Sequence, residues 1–156
     1  MRSRRAWLAS GLIALAGCAS TVAGDASQPF VVGAVVGATA AGFHAAGYLR
    51  VEQQGGDDVL VAITTERAIR VTVMGPNVAM TEASGASGFP IQLPAGEQML
   101  FTPGGDHIML ERVATDLVAG EQVELRLEFE RADDIVISAD VVAPADLLDR
   151  APGAGS

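Results

Sequence analysis

His107 and Met109 stand two residues apart in the segment 103–110 (PGGDHIML). The Pro-Gly-Gly turn at its start is followed by residues typical of a short strand. Side chains alternate faces along a strand, so His107 and Met109 are expected on one face and the apolar Ile108 and Leu110 on the other. An imidazole and a thioether on one face suit a soft metal ion, Cu(I) above all.

The elements that would position this pair are short strands at roughly ten-residue spacing, with turn residues between them and no helical period. The segment 122–130 alternates most regularly, so we expect its apolar face in the core and its polar face in solvent. A Pro in the segment 89–93 predicts an edge strand. Eight or nine such strands predict an all-β fold, an antiparallel Greek-key β-sandwich. The other predicted strands begin at residue 30 and lie at 45–52, 59–64, 68–74, 98–102 and 135–141.

The first 17 residues read as an export signal, with arginines at the start, a short apolar stretch and small residues at the end. The apolar stretch is too short to span a bilayer. The four residues 15–18 (LAGC) resemble the bacterial lipobox, in which the signal is cut before the Cys and that Cys is acylated. This resemblance implies lipidation of Cys18, the single cysteine of the chain. We therefore expect a periplasmic protein that is anchored to the outer (or inner) membrane by a lipid on Cys18. The alternative is a plain secretory signal in which the Cys has no role.

The remaining chain divides by composition into three parts. Residues 18–29 are small and polar and predict a tether, residues 30–142 carry the strands, and residues 143–156 predict a flexible tail because they lack any apolar period. Beyond the signal the chain has seven arginines, no lysine and nineteen acidic residues, which gives a net charge of −12. Such a charge disfavours nucleic acid and anionic membrane surfaces as partners and favours cations and basic protein surfaces, or simply serves solubility.

Several segments in order resemble the PCu(A)C family of periplasmic copper chaperones: 46–52 (AGYLRVE), 93–96 (LPAG), 103–109 (PGGDHIM) and the long strand ending at Glu130. The resemblance covers about residues 30–142. It implies a cupredoxin-like β-sandwich that binds Cu(I) and passes copper towards the binuclear centre of respiratory oxidases.

The copper motif of that family is His, ten residues, Met, twenty-one residues, His, one residue, Met. His107 and Met109 match its last two positions, whereas Met74 stands where the first His is expected and Gly85 where the first Met is expected. The resemblance therefore implies the ligand set Met74, His107 and Met109. Met80, in the same connection as Gly85, is a candidate fourth ligand. The pattern leaves two outcomes open, namely altered copper binding and loss of the metal.

Two further polar residues have other expected roles. The carboxylate of Asp106 could orient the imidazole of His107 through its second ring nitrogen, or Asp106 could simply form the turn. His44 is expected to be an exposed loop residue rather than a ligand.

No enzyme motif is present: the sequence has no phosphate-binding Gly loop before a helix, no Gly-x-Ser-x-Gly and no His-Glu-x-x-His. We expect a monomeric copper chaperone that is not an enzyme and whose partner is a copper-accepting periplasmic or oxidase-assembly protein. The alternative is a metal-free lipoprotein that acts as an interaction or assembly module. A third interpretation is that the protein is a partner subunit that docks on another copper carrier.

Overall fold

The computed structural model describes residues 28–78 and 87–153. The predicted signal peptide, Cys18 and Met80 lie outside the described residues, as does nearly all of the predicted tether. Within the described ranges, nine strands form at the predicted places. They are β1 (Pro29–Gly37), β2 (Ala45–Gln53), β3 (Asp58–Thr64), β4 (Ala68–Met74), β5 (Ile91–Leu93), β6 (Gln98–Phe101), β7 (His107–Val113), β8 (Gln122–Phe129) and β9 (Ile135–Val142).

Alternating burial along the strands builds the core. In β8 the apolar residues are buried and their polar neighbours are exposed along most of the strand. Leu49 and Val51 of β2 are likewise fully buried, and they join Ile108 and Leu110 of β7 in one core cluster. Each fully buried aliphatic side chain stabilises such a core by about 1.5–3 kcal/mol relative to an exposed one. The inward faces of β2, β7 and β8 are therefore the ones predicted from their alternation.

The nine strands form one curled sheet in the order β4-β7-β2-β1-β9-β8-β3-β5, with β6 pairing with β2. β5 ends this path, so the prediction of an edge strand there is confirmed. The predicted all-β class is confirmed as well, but the sheet is not wholly antiparallel. β1 and β9 pair in parallel through Val35, Val36 and Gly37 of β1. Parallel neighbours need a long connection between them, and here almost the whole domain supplies it.

One edge of β2 is shared by two strands. β7 pairs with its first residues and β6 with its last, both antiparallel to it. Between β6 and β7 the chain leaves the sheet for residues 102–106, which we call the excursion. Thr102 N–H donates to the carbonyl of Asp106 at 2.8 Å and closes the excursion at its base. The predicted Pro-Gly-Gly turn is thus an insertion in one interrupted strand, and it delivers His107 to the start of β7.

Residues 143–153, which we call the strap, fall within the predicted tail of residues 143–156 and contain structure that the sequence did not predict. They contain a short helix, α1 (Leu147–Arg150), and Leu147 and Ala151 are buried. Both pack with Val35, Tyr48 and Val142 in a second apolar cluster, on the outward face of β1 and β2. No helix in the described part of the chain is long and apolar enough to cross a membrane.

Candidate metal site

Two of the predicted ligands face each other across neighbouring strands. Met74, the last residue of β4, pairs directly with His107, the first residue of β7. Side chains at directly opposed positions have Cβ atoms about 4.5–5.5 Å apart on the same face of a sheet. Met109 follows on the same face of β7, opposite Thr72 of β4 and Ala46 of β2. The fold therefore brings three of the four predicted ligand positions to one patch.

This patch lies on the outward face of the sheet. Ile108 and Leu110, which alternate with the ligands, are fully buried, whereas His107 and Met109 are half-buried. The side chain of Met74 is 51% exposed. Met74 therefore presents its thioether to solvent, next to the imidazole of His107.

The imidazole of His107 is held by a backbone carbonyl. Its Nδ1 lies 3.2 Å from the carbonyl oxygen of Gly105 in the excursion. A carbonyl oxygen only accepts, so a hydrogen bond here requires the proton on Nδ1 and leaves the lone pair on Nε2. Metal-binding histidines commonly donate their second ring N–H in this way, which fixes the ring and the tautomer. Nε2 is thus the nitrogen available to a metal.

Asp106, directly before His107, contacts the connection that follows β4. Oδ1 of Asp106 accepts the N–H of Asn77 at 2.9 Å. Asp106 therefore ties the excursion to the connection that leaves β4. This hydrogen bond links the segment after Met74 to the residue before His107.

Sequence reasoning missed Tyr48 as a neighbour of the site. Its ring centroid lies 6.4 Å from that of His107, with the rings tilted by 59°. Tyr48 is buried and lies on the outward face of β2, opposite Val35 of β1. Its outward direction could be inferred from alternation. Its proximity to His107 follows from the register of β2 with β7, in which Gly47 opposes Ile108, and no local pattern encodes that register.

The same face of β7 carries a carboxylate, that of Glu111, two residues after Met109. Glu111 accepts a hydrogen bond from Arg70 Nε at 2.7 Å and another from Thr72 Oγ1 at 3.2 Å. The bond from Arg70 is the main cause that holds the pKa of Glu111 below its usual range, against partial burial, which raises it. This carboxylate is therefore committed to Arg70 and is a poor candidate for a metal ligand.

His44 is exposed, outside the strands, and its Nδ1 accepts the N–H of Arg112 at 3.4 Å. This agrees with an exposed loop histidine. Among the described residues no group of three or more His, Cys, Asp or Glu side chains could hold a metal ion. A metal on this face would thus depend on the sulfur atoms of Met74 and Met109 together with His107. Two thioethers and one imidazole favour Cu(I) over Zn²⁺ and over hard cations. Met80 and Gly85, at or near the remaining motif position, lie outside the described residues.

Comparison with solved structures supports the same fold. The chain is similar to the apo PCuAC domain from PmoF1, at 28% identity and a TM-score of 0.64, over 77% of this chain and 98% of that one. It is also similar to the copper-bound PCuAC domain from PmoF2, at 24% identity and a TM-score of 0.62, over 75% and 94% of the two chains. The solution structure of CuI-DR1885 from Deinococcus radiodurans matches at 24% identity and a TM-score of 0.58, over 81% and 87%.

These matches confirm the predicted likeness to PCu(A)C domains at the level of the fold. No curated protein matches the chain. A family model described as "Putative lipoprotein LpqE-like" matches residues 28–141, which is most of the chain and nearly all of the sheet. The chain therefore belongs to the LpqE-like family.

Proposed function

We propose that this chain is an exported, lipid-anchored copper chaperone that binds Cu(I) through Met74, His107 and Met109, with Met80 as a fourth ligand. The observation that carries the proposal is the direct cross-strand pairing of Met74 with His107, with Met109 on the same outward face. Met74 replaces a histidine of the family motif at a position where its thioether can still serve Cu(I).

Relatives of similar fold support the choice of metal. One PCuAC domain is described as copper-bound, and DR1885 is described as holding CuI. At 24% identity these two proteins inform this chain through the fold alone. The assignment of copper here therefore relies on the donor set of this chain, which is soft and neutral.

The exposure of the site suits a carrier whose copper is cargo. Thioethers and a neutral imidazole bind Cu(I) without burying a negative charge. Met74 is half-exposed at the end of its strand, so a donor atom of a partner can approach the ion from the solvent side. In this proposal the partner replaces the thioether of Met74 first and then takes the ion from His107 and Met109. The recipient is a copper-accepting periplasmic protein or a respiratory oxidase under assembly.

The test is competition for Cu(I) between the acylation-free domain and a chromogenic chelator under reducing conditions. We expect His107→Ala, Met74→Leu and Met109→Leu each to lower the affinity about tenfold or more, because each removes one donor of a small set. Met99→Leu is the matched control, since Met99 is a buried core residue and its sulfur faces away from the patch. His44→Ala controls for loss of an imidazole. If the wild type and His107→Ala compete equally poorly, the copper assignment fails.

A second candidate function is a metal-free interaction or assembly module. The substitutions at two motif positions, Met74 and Gly85, favour it. The two candidates differ in NMR spectra: a chaperone shifts the His107 and Met109 side-chain signals on addition of Cu(I), while a pure interaction module leaves them unchanged.

A further inference from the structure

The strap contacts two parts of the molecule that adjoin the imidazole of His107, the cluster around Tyr48 and the first residue of the excursion. Its first contact is the apolar cluster in which Leu147 and Ala151 pack with Tyr48. Gly37 of β1 leaves room for this helix, because a Cβ added at Gly37 would lie only 3.0 Å from Cδ2 of Leu147. The Tyr48 ring in turn lies beside that of His107, so a member of the cluster that contains Leu147 and Ala151 flanks the imidazole.

The second contact is at the base of the excursion. A Cβ added at Gly153 would lie 3.5 Å from Cγ2 of Thr102 and 3.6 Å from Leu100. The carbonyl of Thr102 accepts the N–H of Gly105 at 3.0 Å. The carbonyl of Gly105 in turn faces Nδ1 of His107. The far end of the strap thus lies against the residue that anchors this carbonyl.

We propose that the strap is a positioning element of the metal site, which fixes the His107 ring through Tyr48 on one side and through the excursion on the other. The family model ends at residue 141, so the strap lies beyond the region it matches. The expected effect of the strap on Cu(I) affinity rests on the copper function proposed above. The structural part of the proposal, the orientation of the His107 ring, holds in the metal-free protein as well.

Two adjacent leucines of α1 make a matched pair of variants. Leu147 is 9% exposed and belongs to the cluster with Tyr48, whereas Leu148 is 57% exposed. We expect Leu147→Ala to shift the ring ¹H and ¹³C signals of His107 in the metal-free protein. Leu148→Ala should leave them in place. The chain has only two histidines, so His44 serves as the internal reference in each spectrum.

The Cu(I) competition assay gives the second readout. Leu147→Ala should weaken Cu(I) binding by about 10-fold, in the range known for residues that orient a ligand, and Leu148→Ala should bind as the wild type does. If Leu147→Ala leaves both the His107 signals and the affinity at wild-type values, the proposal is overturned. If the wild type binds no Cu(I), the proposed function fails, and the metal-free spectra alone decide the role of the strap.

A further measurement covers the case in which Leu147→Ala does not fold. In the wild type, the methyl protons of Leu147 should show nuclear Overhauser effects to the Tyr48 ring, and the Tyr48 ring protons should show them to His107. Their absence would overturn the proposal. The substitution Tyr48→Leu removes the ring current, so it should move the His107 signals while those of His44 stay in place.

Discussion

At the residue scale, the closest approach near the site involves a glycine. Gly75 follows Met74 directly, has a φ of +152°, and lies against the backbone of Asp106, the residue before His107. A Cβ at position 75 would overlap atoms of Asp106. The absence of a side chain at Gly75 therefore allows the end of β4, with Met74, to lie close to the start of β7, with His107.

Gly75→Ala should accordingly destabilise the domain and weaken the metal site together. Overlap with backbone forces a shift that costs about 1–3 kcal/mol, and the shift separates Met74 from His107. Urea unfolding gives the free energy and chelator competition gives the Cu(I) affinity. Gly56→Ala is the control, since a Cβ there meets no atom within 4 Å, and we expect a change of less than about 0.5 kcal/mol. A stable Gly75→Ala variant with wild-type affinity would contradict this account of the close approach.

At the element scale, alternation along β7 was sufficient to predict that His107 and Met109 lie on its outward face and that Ile108 and Leu110 lie in the core. Local patterns could not predict what joins distant segments. The parallel pairing of β1 with β9 joins the two halves of the sheet. The register of β2 with β7, in which Gly47 opposes Ile108, places Tyr48 beside His107. The strap escaped prediction because only a few apolar residues, among them Leu147 and Ala151, hold it to a patch created by the tertiary fold.

The pairing of β4 with β7 also predicts a pH response. Because the bond from Arg70 lowers the folded-state pKa of Glu111 below its ordinary value of 4.5, the ionised carboxylate favours the folded state. That contribution is present above pH 4.5 and is lost as the pH falls through the lower folded-state pKa. In Arg70→Gln the pKa of Glu111 should rise, and the stability should depend less on pH in this acidic range.

Carboxyl ¹³C titration of Glu111 and urea unfolding at several pH values measure the two effects. Arg126→Gln is the matched control, because Arg126 of β8 forms a similar exposed ion pair with Asp134 and does not contact Glu111. It should leave the titration of Glu111 unchanged. Equal titration curves of Glu111 in the wild type and in Arg70→Gln would contradict the role given to Arg70.

At the scale of the whole molecule, the candidate site lies on one outward face of the curled sheet, and the chain after residue 17 is strongly acidic. An acidic carrier attracts a basic recipient surface and associates with it faster at low ionic strength. Confinement to a membrane surface would raise the encounter rate with a membrane-bound oxidase further. The anchor proposed at Cys18 is therefore the part of the function that the fold does not supply.

Substitution of that cysteine tests the anchor directly. When the full-length chain is produced in a bacterium, the wild type should partition into the detergent phase of a Triton X-114 extract, because acyl chains on Cys18 gain about 0.8 kcal/mol per buried methylene. Cys18→Ser should move to the aqueous phase as an exported protein, since the remaining residues offer no apolar segment of bilayer length. The Cu(I) affinity of the domain should be the same in both forms, because Cys18 precedes the first strand by more than ten residues. A wild-type chain found wholly in the aqueous phase would leave a soluble carrier, whose delivery of copper would depend on electrostatic attraction alone.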